Sequence, residues 1–179
     1  MQLIIQTERL ILRPLEFSDA DAFFEMDKIP LVHKYLWQTP AKNKDEIIKV
    51  IEYVKNQYKN NSIGRFATIL KETNEFIGWT GIKYVNDHVE NGNTNFYDYG
   101  YRLHEQYWNK GYATEASEAW LQYGFNVMNI DKMNAYTHAE NDASNHILQK
   151  IGMNFVQNYP DSKDVIWKWW QMKNPEILG

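Results

Sequence analysis

Apolar positions recur along this chain with two periods, and the switches between them mark out its elements. Leu10-Ile11-Leu12-Arg13 is a short strand-like run stopped by Pro14, and Ser18-Asp19-Ala20-Asp21 then supplies a helix start ahead of Phe23, Phe24 and Met26. Ile47, Ile51, Val54 and Tyr58 recur at spacings of four, three and four, which predicts a helix over residues 45–60 with one buried stripe. Asn60-Asn61-Ser62 ends it. Two strand-like runs follow, 65–70 and 76–85, and Lys71-Glu72-Thr73-Asn74 between them is short enough for a hairpin. A polar loop, 86–95, leads to a third run, 96–103, so antiparallel meander strands are expected in mid-chain. Gly100 inside that run points to a bulge, a close backbone approach or a small-residue contact. Ala113, Ala116, Trp120, Tyr123 and Val127 keep helical spacing, and Glu115 and Glu118 fall off that face. A strand over 133–138, a helix over 143–151 closed by Gly152, and strands over 153–159 and 165–172 complete a mixed α+β pattern.

At its centre, Trp108-Asn109-Lys110-Gly111-Tyr112-Ala113-Thr114-Glu115-Ala116 puts a small-residue turn between a strand and a helix. A helix N-terminus leaves main-chain N–H groups without intrahelical partners and carries partial positive charge, so phosphate oxygens can accept several hydrogen bonds there. Gly111 has no Cβ to keep a ligand from the backbone, and Ala113 keeps the approach open. A Walker loop is excluded, because Lys110 precedes its glycine and no partner glycine stands upstream; a Gly-x-Gly-x-x-Gly fingerprint is also missing. Taken alone, the turn is open between an anion site and a plain strand-to-helix connection.

Composition narrows the chemistry. A length of 179 residues, without a linker-like stretch or repeat, fits one domain spanning residues 1–179. A net charge of -4 with scattered basic residues argues against a nucleic-acid or membrane partner held by bulk field, so any phosphate must be gripped locally. With no cysteine there is no disulfide, thiol nucleophile or thiolate metal site, and His33, His88, His104, His138 and His146 lack metal-ligand spacing, so no metal is expected. Neither a leader-like start nor a run of 18 apolar residues is present, which makes the cytoplasm the default location.

Three separated motifs together resemble the GNAT superfamily of acyl-CoA-dependent N-acetyltransferases, and within it the Rim-type branch that acetylates ribosomal-protein alanines. They are Thr7-Glu8-Arg9-Leu10-Ile11-Leu12-Arg13-Pro14-Leu15, Tyr107-Trp108-Asn109-Lys110-Gly111-Tyr112-Ala113-Thr114-Glu115-Ala116, and Asn141-Asp142-Ala143-Ser144 leading to Gln149-Lys150-Ile151-Gly152-Met153. The resemblance spans nearly the whole chain. It implies an α+β GNAT fold whose central, mostly antiparallel sheet splays at a bulge, with acetyl-CoA as cosubstrate and its pantetheine arm entering the gap like an added strand. Main-chain groups of Tyr101, Arg102 and Leu103 would pair with the pantetheine amides. The diphosphate would fall on the amides from Asn109 to Thr114, with Lys110 as an added cation and Trp108 opening the turn. The wider superfamily usually has Gln or Arg where this chain has Trp108, and the Rim-type branch commonly has an aromatic there. Many relatives place a proton-donating Tyr on the last helix, where this chain has Leu148.

Acetyl transfer needs a neutral amine, whereas a lysine-type amine has a reference pKa of about 10.4 and an α-amine about 7.7 to 8.0. Asp98, where the resembling family often has Glu, is the expected base, and His138 competes with it. A main-chain N–H near Leu103 would take the oxyanion, Ser144 would donate to the departing sulfur and Asn141 would bind a pantetheine carbonyl. Ser144 and Asn141 equally suit a plain helix cap. Tyr35, Trp37 and Trp79 are candidates for the acceptor mouth, and Glu16, Asp87 and Glu90 for attracting a cation. The acceptor is open between the N-terminal α-amine of a protein, ribosomal or other, and a small amine such as a polyamine, amino sugar or aminoglycoside; a CoA-binding sensor without turnover is the third reading. The aromatic run Val165-Ile166-Trp167-Lys168-Trp169-Trp170 either pairs with a second subunit as a homodimer edge or completes the core.

Overall fold

The computed structural model describes residues 3–36 and 39–175. In chain order the elements are β1 (Ile5–Gln6), β2 (Leu10–Pro14), α1 (Ala20–Asp27), α2 (Lys44–Asn61), β3 (Arg65–Leu70), β4 (Glu75–Val85), β5 (Phe96–Leu103), α3 (Tyr112–Asn126), β6 (Lys132–His138), α4 (Asp142–Lys150), β7 (Asn154–Pro160) and β8 (Ile166–Lys173). Single 3-10 turns at Phe17–Asp19, Pro30–His33 and Glu105–Tyr107 link them. The strands form one sheet in the order β1-β2-β3-β4-β5-β6-β8-β7, antiparallel throughout except for the β5–β6 pair. This is the expected α+β architecture, with helices on both faces. The two-residue strand β1 is an addition, too short to show a period.

Local chemistry explains most boundaries. The Asn43 side chain accepts from the main-chain N–H of Glu46 at 3.1 Å and starts α2 one residue earlier than the apolar stripe suggests. Ser62, in the left-handed region at φ 59°, ends it. Asn74, at φ 57°, closes the β3–β4 hairpin by donating its main-chain N–H to Leu70 at 2.8 Å.

Two principal cores lie on opposite faces of the sheet. Leu12, Phe66, Ile82, Tyr99, Trp120 and Met133 fill the layer under α3 and α4, and Leu15, Phe23, Met26, Ile47, Ile51 and Ala67 fill the layer under α1 and α2. A third cluster joins Val85, Phe96, Tyr159, Trp167 and Trp169. Trp120 is fully buried and donates its indole N–H to the Thr80 hydroxyl at 2.9 Å, which sets α3 at a fixed height over the sheet. Because α3 begins at the central turn, this contact also positions that turn.

The aromatic run at residues 165–170 completes the core. Strand β8 lies between β6 and β7 and is no edge, so it has no free side on which to pair a second subunit; β7 is the outermost strand. No helix among the described residues is long and apolar enough to cross a membrane.

Candidate active site

Parallel strands β5 and β6 pair only at Tyr97–Met133 and Asp98–Asn134. Beyond Asp98 they part: β6 continues on β8 to His138, and β5 continues on β4 to Leu103. The β4–β5 register is unbroken across Gly100, so the fork opens without a register shift in that ladder; the shifts in the sheet lie at Thr68/Ile69 and Phe155/Gln157. Gly100 provides close approach instead. A Cβ there would meet the Arg65 guanidinium at 2.7 Å.

One hydrogen bond fixes which β5 groups face the gap. His104 donates its main-chain N–H to Ile77 at 2.9 Å, in the same register as the β4–β5 ladder. Antiparallel pairs alternate, so Phe96, Asp98, Gly100 and Arg102 turn their main-chain groups toward β4 while Tyr97, Tyr99, Tyr101 and Leu103 turn theirs toward the β6 side. In agreement, the Tyr97 carbonyl accepts from the Asn134 side chain at 3.1 Å and the Leu103 carbonyl accepts from the Trp108 indole at 2.8 Å. The groups available to an added strand are therefore those of Tyr99 and Tyr101 with the N–H of Leu103. Arg102, expected among them, spends its main chain on β4 and sends its side chain to the α1–α2 face.

The turn before α3 has the expected geometry. Gly111 is the N-cap at φ 83°, no side chain caps it, and Asn109 is also left-handed at φ 59°. Two such residues flanking Lys110, followed by the first helical N–H groups of Tyr112, Ala113 and Thr114, form a concave row of donors. Trp108 donates its indole N–H to Leu103, and the ring fastens the end of β5 to the turn.

The sequence reading missed the brace behind this turn. Glu115, in the first turn of α3, accepts from the Thr7 hydroxyl, from the Arg9 main-chain N–H at 2.8 Å and from Arg9 Nε at 2.6 Å. Arg9 also donates to the Lys110 carbonyl at 2.9 Å and lies 4.5 Å from the centroid of the Tyr112 ring. The first motif is thus a clamp on the second, and it brings a cation to the turn beside Lys110. Burial pushes the Glu115 carboxyl up, but the hydrogen bonds from Thr7 and Arg9 hold it below its ordinary value.

On the α3–α4 face of the gap, Tyr101 donates its hydroxyl to Ser144 Oγ at 2.9 Å. Burial raises the Tyr101 phenol to about 12 against the opposing pull of Ser144, so it is protonated at neutral pH. Asn141 caps α4 by accepting from the Ser144 main-chain N–H at 3.2 Å, which leaves the Ser144 hydroxyl to Tyr101. Leu148 is buried in the core.

Asp98 stands at the apex of the fork, 2% exposed, with its carboxylate ion-paired to Arg65. Arg65 also donates to the Asp98 carbonyl at 2.8 Å and to the Gly81 carbonyl. Burial raises the Asp98 carboxyl, opposed first by Arg65. Asp98, the expected base, is thus held in an ion pair at the apex of the fork. His138, the second candidate, ends β6; its Nδ1 accepts from the Glu140 main-chain N–H at 3.1 Å and its ring lies 5.4 Å from that of Tyr35. Tyr35 and His138, singled out separately, are therefore neighbours. Trp79 instead carries the guanidinium groups of Arg65 and Arg102 at 5.6 and 5.3 Å, and Trp37 lies outside the described residues. Glu16, Asp87 and Glu90 have local partners: a cap of the Phe17–Asp19 turn, the Tyr53 and His88 side chains, and the Tyr159 hydroxyl at 2.6 Å. Among the described residues no group of three or more acidic, His or Cys side chains is placed to hold a metal ion.

Comparison with known proteins agrees with this geometry. Residues 9–154 match the family described as "Acetyltransferase (GNAT) domain". An uncharacterized N-acetyltransferase, p20, of Bacillus licheniformis is 33% identical over 147 residues, 82% of this chain and 80% of that protein. A spermidine N(1)-acetyltransferase of Escherichia coli K12 is 26% identical, covering 79% of this chain and 70% of that one. The crystal structure of an acetyltransferase (GNAT family) from Bacillus anthracis superposes with a TM-score of 0.77 at 27% identity, covering 96% of this chain and 99% of that chain.

Proposed function

The chain belongs to the GNAT acetyltransferase family, and we propose that it moves the acetyl group of acetyl-CoA directly onto a small primary amine. The observation that carries this reading is the fork: main-chain groups of Tyr99, Tyr101 and Leu103 face a gap whose far end is the uncapped α3 turn. Pantetheine carries amides that can pair with an open strand edge, and a diphosphate suits a row of helix N-terminal donors. A ligand with both features spaced along one arm satisfies both ends of the site.

The lone pair of the neutral amine forms the C–N bond to the thioester carbonyl carbon, the carbonyl oxygen gains negative charge, and the nitrogen then gives up a proton to solvent. The Leu103 N–H, turned toward the gap, donates to that oxygen. As the C–S bond breaks, its electron pair leaves with the sulfur, and the Tyr101–Ser144 hydroxyl pair donates a hydrogen bond to the developing thiolate. A phenol held near 12 stays protonated through this step, so the proton that finally rests on the thiol comes from solvent. Asp98 and Arg65 hold the apex of the fork.

The other acceptor reading, the N-terminal α-amine of a ribosomal or other protein, rests on the motifs shared with the Rim-type branch. We place the small amine ahead of it because the relative named for spermidine acetylation matches 79% of this chain and the chain is acidic overall. The test is thiol release from acetyl-CoA across a panel of aliphatic amines and free-N-terminus peptides, paired with calorimetric titration of CoA. Release with an amine confirms transfer, and the absence of a CoA binding isotherm would sink the cosubstrate assignment.

A further inference from the structure

On the α1–α2 face, opposite the Tyr101–Ser144 pair, a cavity of about 220 Å³ is bounded by Asp27, His33, Ala41, Glu46 and Arg102 among others. Four elements meet there: the last residue of α1, the Pro30–His33 turn, the first turn of α2 and strand β5. Arg102 ion-pairs with the Asp27 carboxylate. His33 Nε2 lies 2.8 Å from the Asp27 carbonyl oxygen and 3.4 Å from Oδ1 of the same residue. A carbonyl only accepts, so Nε2 carries the hydrogen and the neutral ring keeps its lone pair on Nδ1. Burial and the facing Arg102 guanidinium hold the ring below its ordinary value, against the Asp27 carboxylate, so it is neutral at pH 7.

Charge and size define what fits. Asp27 and Glu46 bring two carboxylates against the one guanidinium of Arg102, an excess of one negative charge in a partly closed space. At about 220 Å³ the cavity is several times the ~30 Å³ share of one liquid water, which leaves room for the end of an aliphatic amine. Position connects it to the reaction. Arg102 sits between Tyr101 and Leu103, whose main chains face the gap, while its own side chain forms a cavity wall.

We infer that this cavity receives the head of a compact primary aliphatic amine, held as the ammonium by Asp27 and Glu46, with His33 Nδ1 taking the proton that must leave before or during attack. The inference rests on the acetyl-transfer reading above. The ammonium passes one proton to Nδ1 and on to solvent, the freed nitrogen lone pair forms the C–N bond, the nitrogen then gives up its second proton to solvent, and the thiolate takes one proton from solvent, so one proton is released per turnover. The charged groups acting on the ring are Arg102 of β5 and Asp27 of α1, and Glu46 of α2 lines the same cavity.

The experiment measures thiol release from acetyl-CoA with 1,4-diaminobutane as a function of pH, for the wild type, His33→Gln and Glu46→Gln, with a thermal melt and a calorimetric CoA titration on each. Wild-type kcat/KM is expected to fall on the acid side through a value below about 6.5. His33→Gln is expected to lower kcat about a hundredfold and erase that limb with CoA affinity intact. Glu46→Gln, at the rim where folding is least at risk, is expected to raise the diamine KM about tenfold and keep kcat. Wild-type KM and pH profile in the Glu46 variant, or in a folded His33 variant, would overturn the inference while leaving acetyl transfer standing. So would turnover with a free-N-terminus tetrapeptide and none with the diamine. Loss of CoA binding in the wild type would instead remove the reading on which it rests.

Discussion

Arg9 and Glu115, 106 residues apart, are joined twice: the Glu115 carboxylate accepts from the Arg9 main-chain N–H through Oε1 and from Arg9 Nε through Oε2. A carboxylate that binds main chain and side chain of one residue fixes both its position and its orientation. Here it ties the edge of the sheet to the first turn of α3, and the same guanidinium reaches back to the Lys110 carbonyl. The turn before α3 is therefore held from behind by charge-assisted hydrogen bonds that leave its donor face open.

Glu115→Gln is expected to lower stability by about 1 to 2 kcal/mol, since hydrogen bonds to a charged group are worth about 1.5 to 3 and the amide keeps part of the set. CoA affinity should fall with it. Because the native carboxyl titrates below its ordinary 4.5, the native state binds fewer protons than the unfolded chain between the two values. The brace contributes fully above 4.5 and is lost as pH falls through the lowered native value. Acid melts of wild type and variant should converge there.

Gly111→Ala places a Cβ at φ 83° and 3.2 Å from Arg9 Nη2. The left-handed conformation costs an alanine about 1 to 2 kcal/mol, and the methyl group also narrows the approach to the turn. A weaker CoA isotherm with a modest drop in melting temperature is the expected outcome; wild-type affinity would show that the turn is not the diphosphate seat.

Tyr101→Phe and Ser144→Ala should each lower kcat while sparing CoA affinity. The Asn141 cap engages the Ser144 main chain, so Ser144→Ala leaves α4 capped. Because the two hydroxyls act as one donor chain, the double variant should lose little more than the more damaging single one. Full additivity would mean that the pair does not act as a unit.

Asp98→Asn leaves the Arg65 guanidinium without its charge partner in a closed site. Breaking a buried pair costs about 3 to 5 kcal/mol, and the amide oxygen keeps one acceptor, so a loss near the lower value is expected in chemical denaturation. Turnover per folded molecule should persist at neutral pH. A collapse of kcat at unchanged CoA affinity would return the proton-accepting role to Asp98.

The features legible beforehand are local ones. The apolar spacing of Ile47, Ile51 and Val54, the cap residues and the Gly111 turn each depend on neighbours within a few positions, where geometry is fixed by short-range sterics and hydrogen bonding. Asp98 was marked by its residue type and its strand, yet its environment depends on Arg65, 33 residues away, and no local pattern announces that pairing. Leu148 flagged a departure from the resembling family, but not that a phenol from β5 would stand at the gap.

The amino-acid order by itself determined the family, the order of helices and of the strands from β2 onward, and a glycine turn at the start of α3, because motifs and periodicity are properties of consecutive residues. Folding alone decided which face of β5 each side chain takes, that Arg9 clamps the turn through Glu115, and that Asp27, His33 and Arg102 meet over separations of up to 75 residues. Those outcomes follow from strand register and helix placement, where a shift of one residue exchanges the two faces of the sheet.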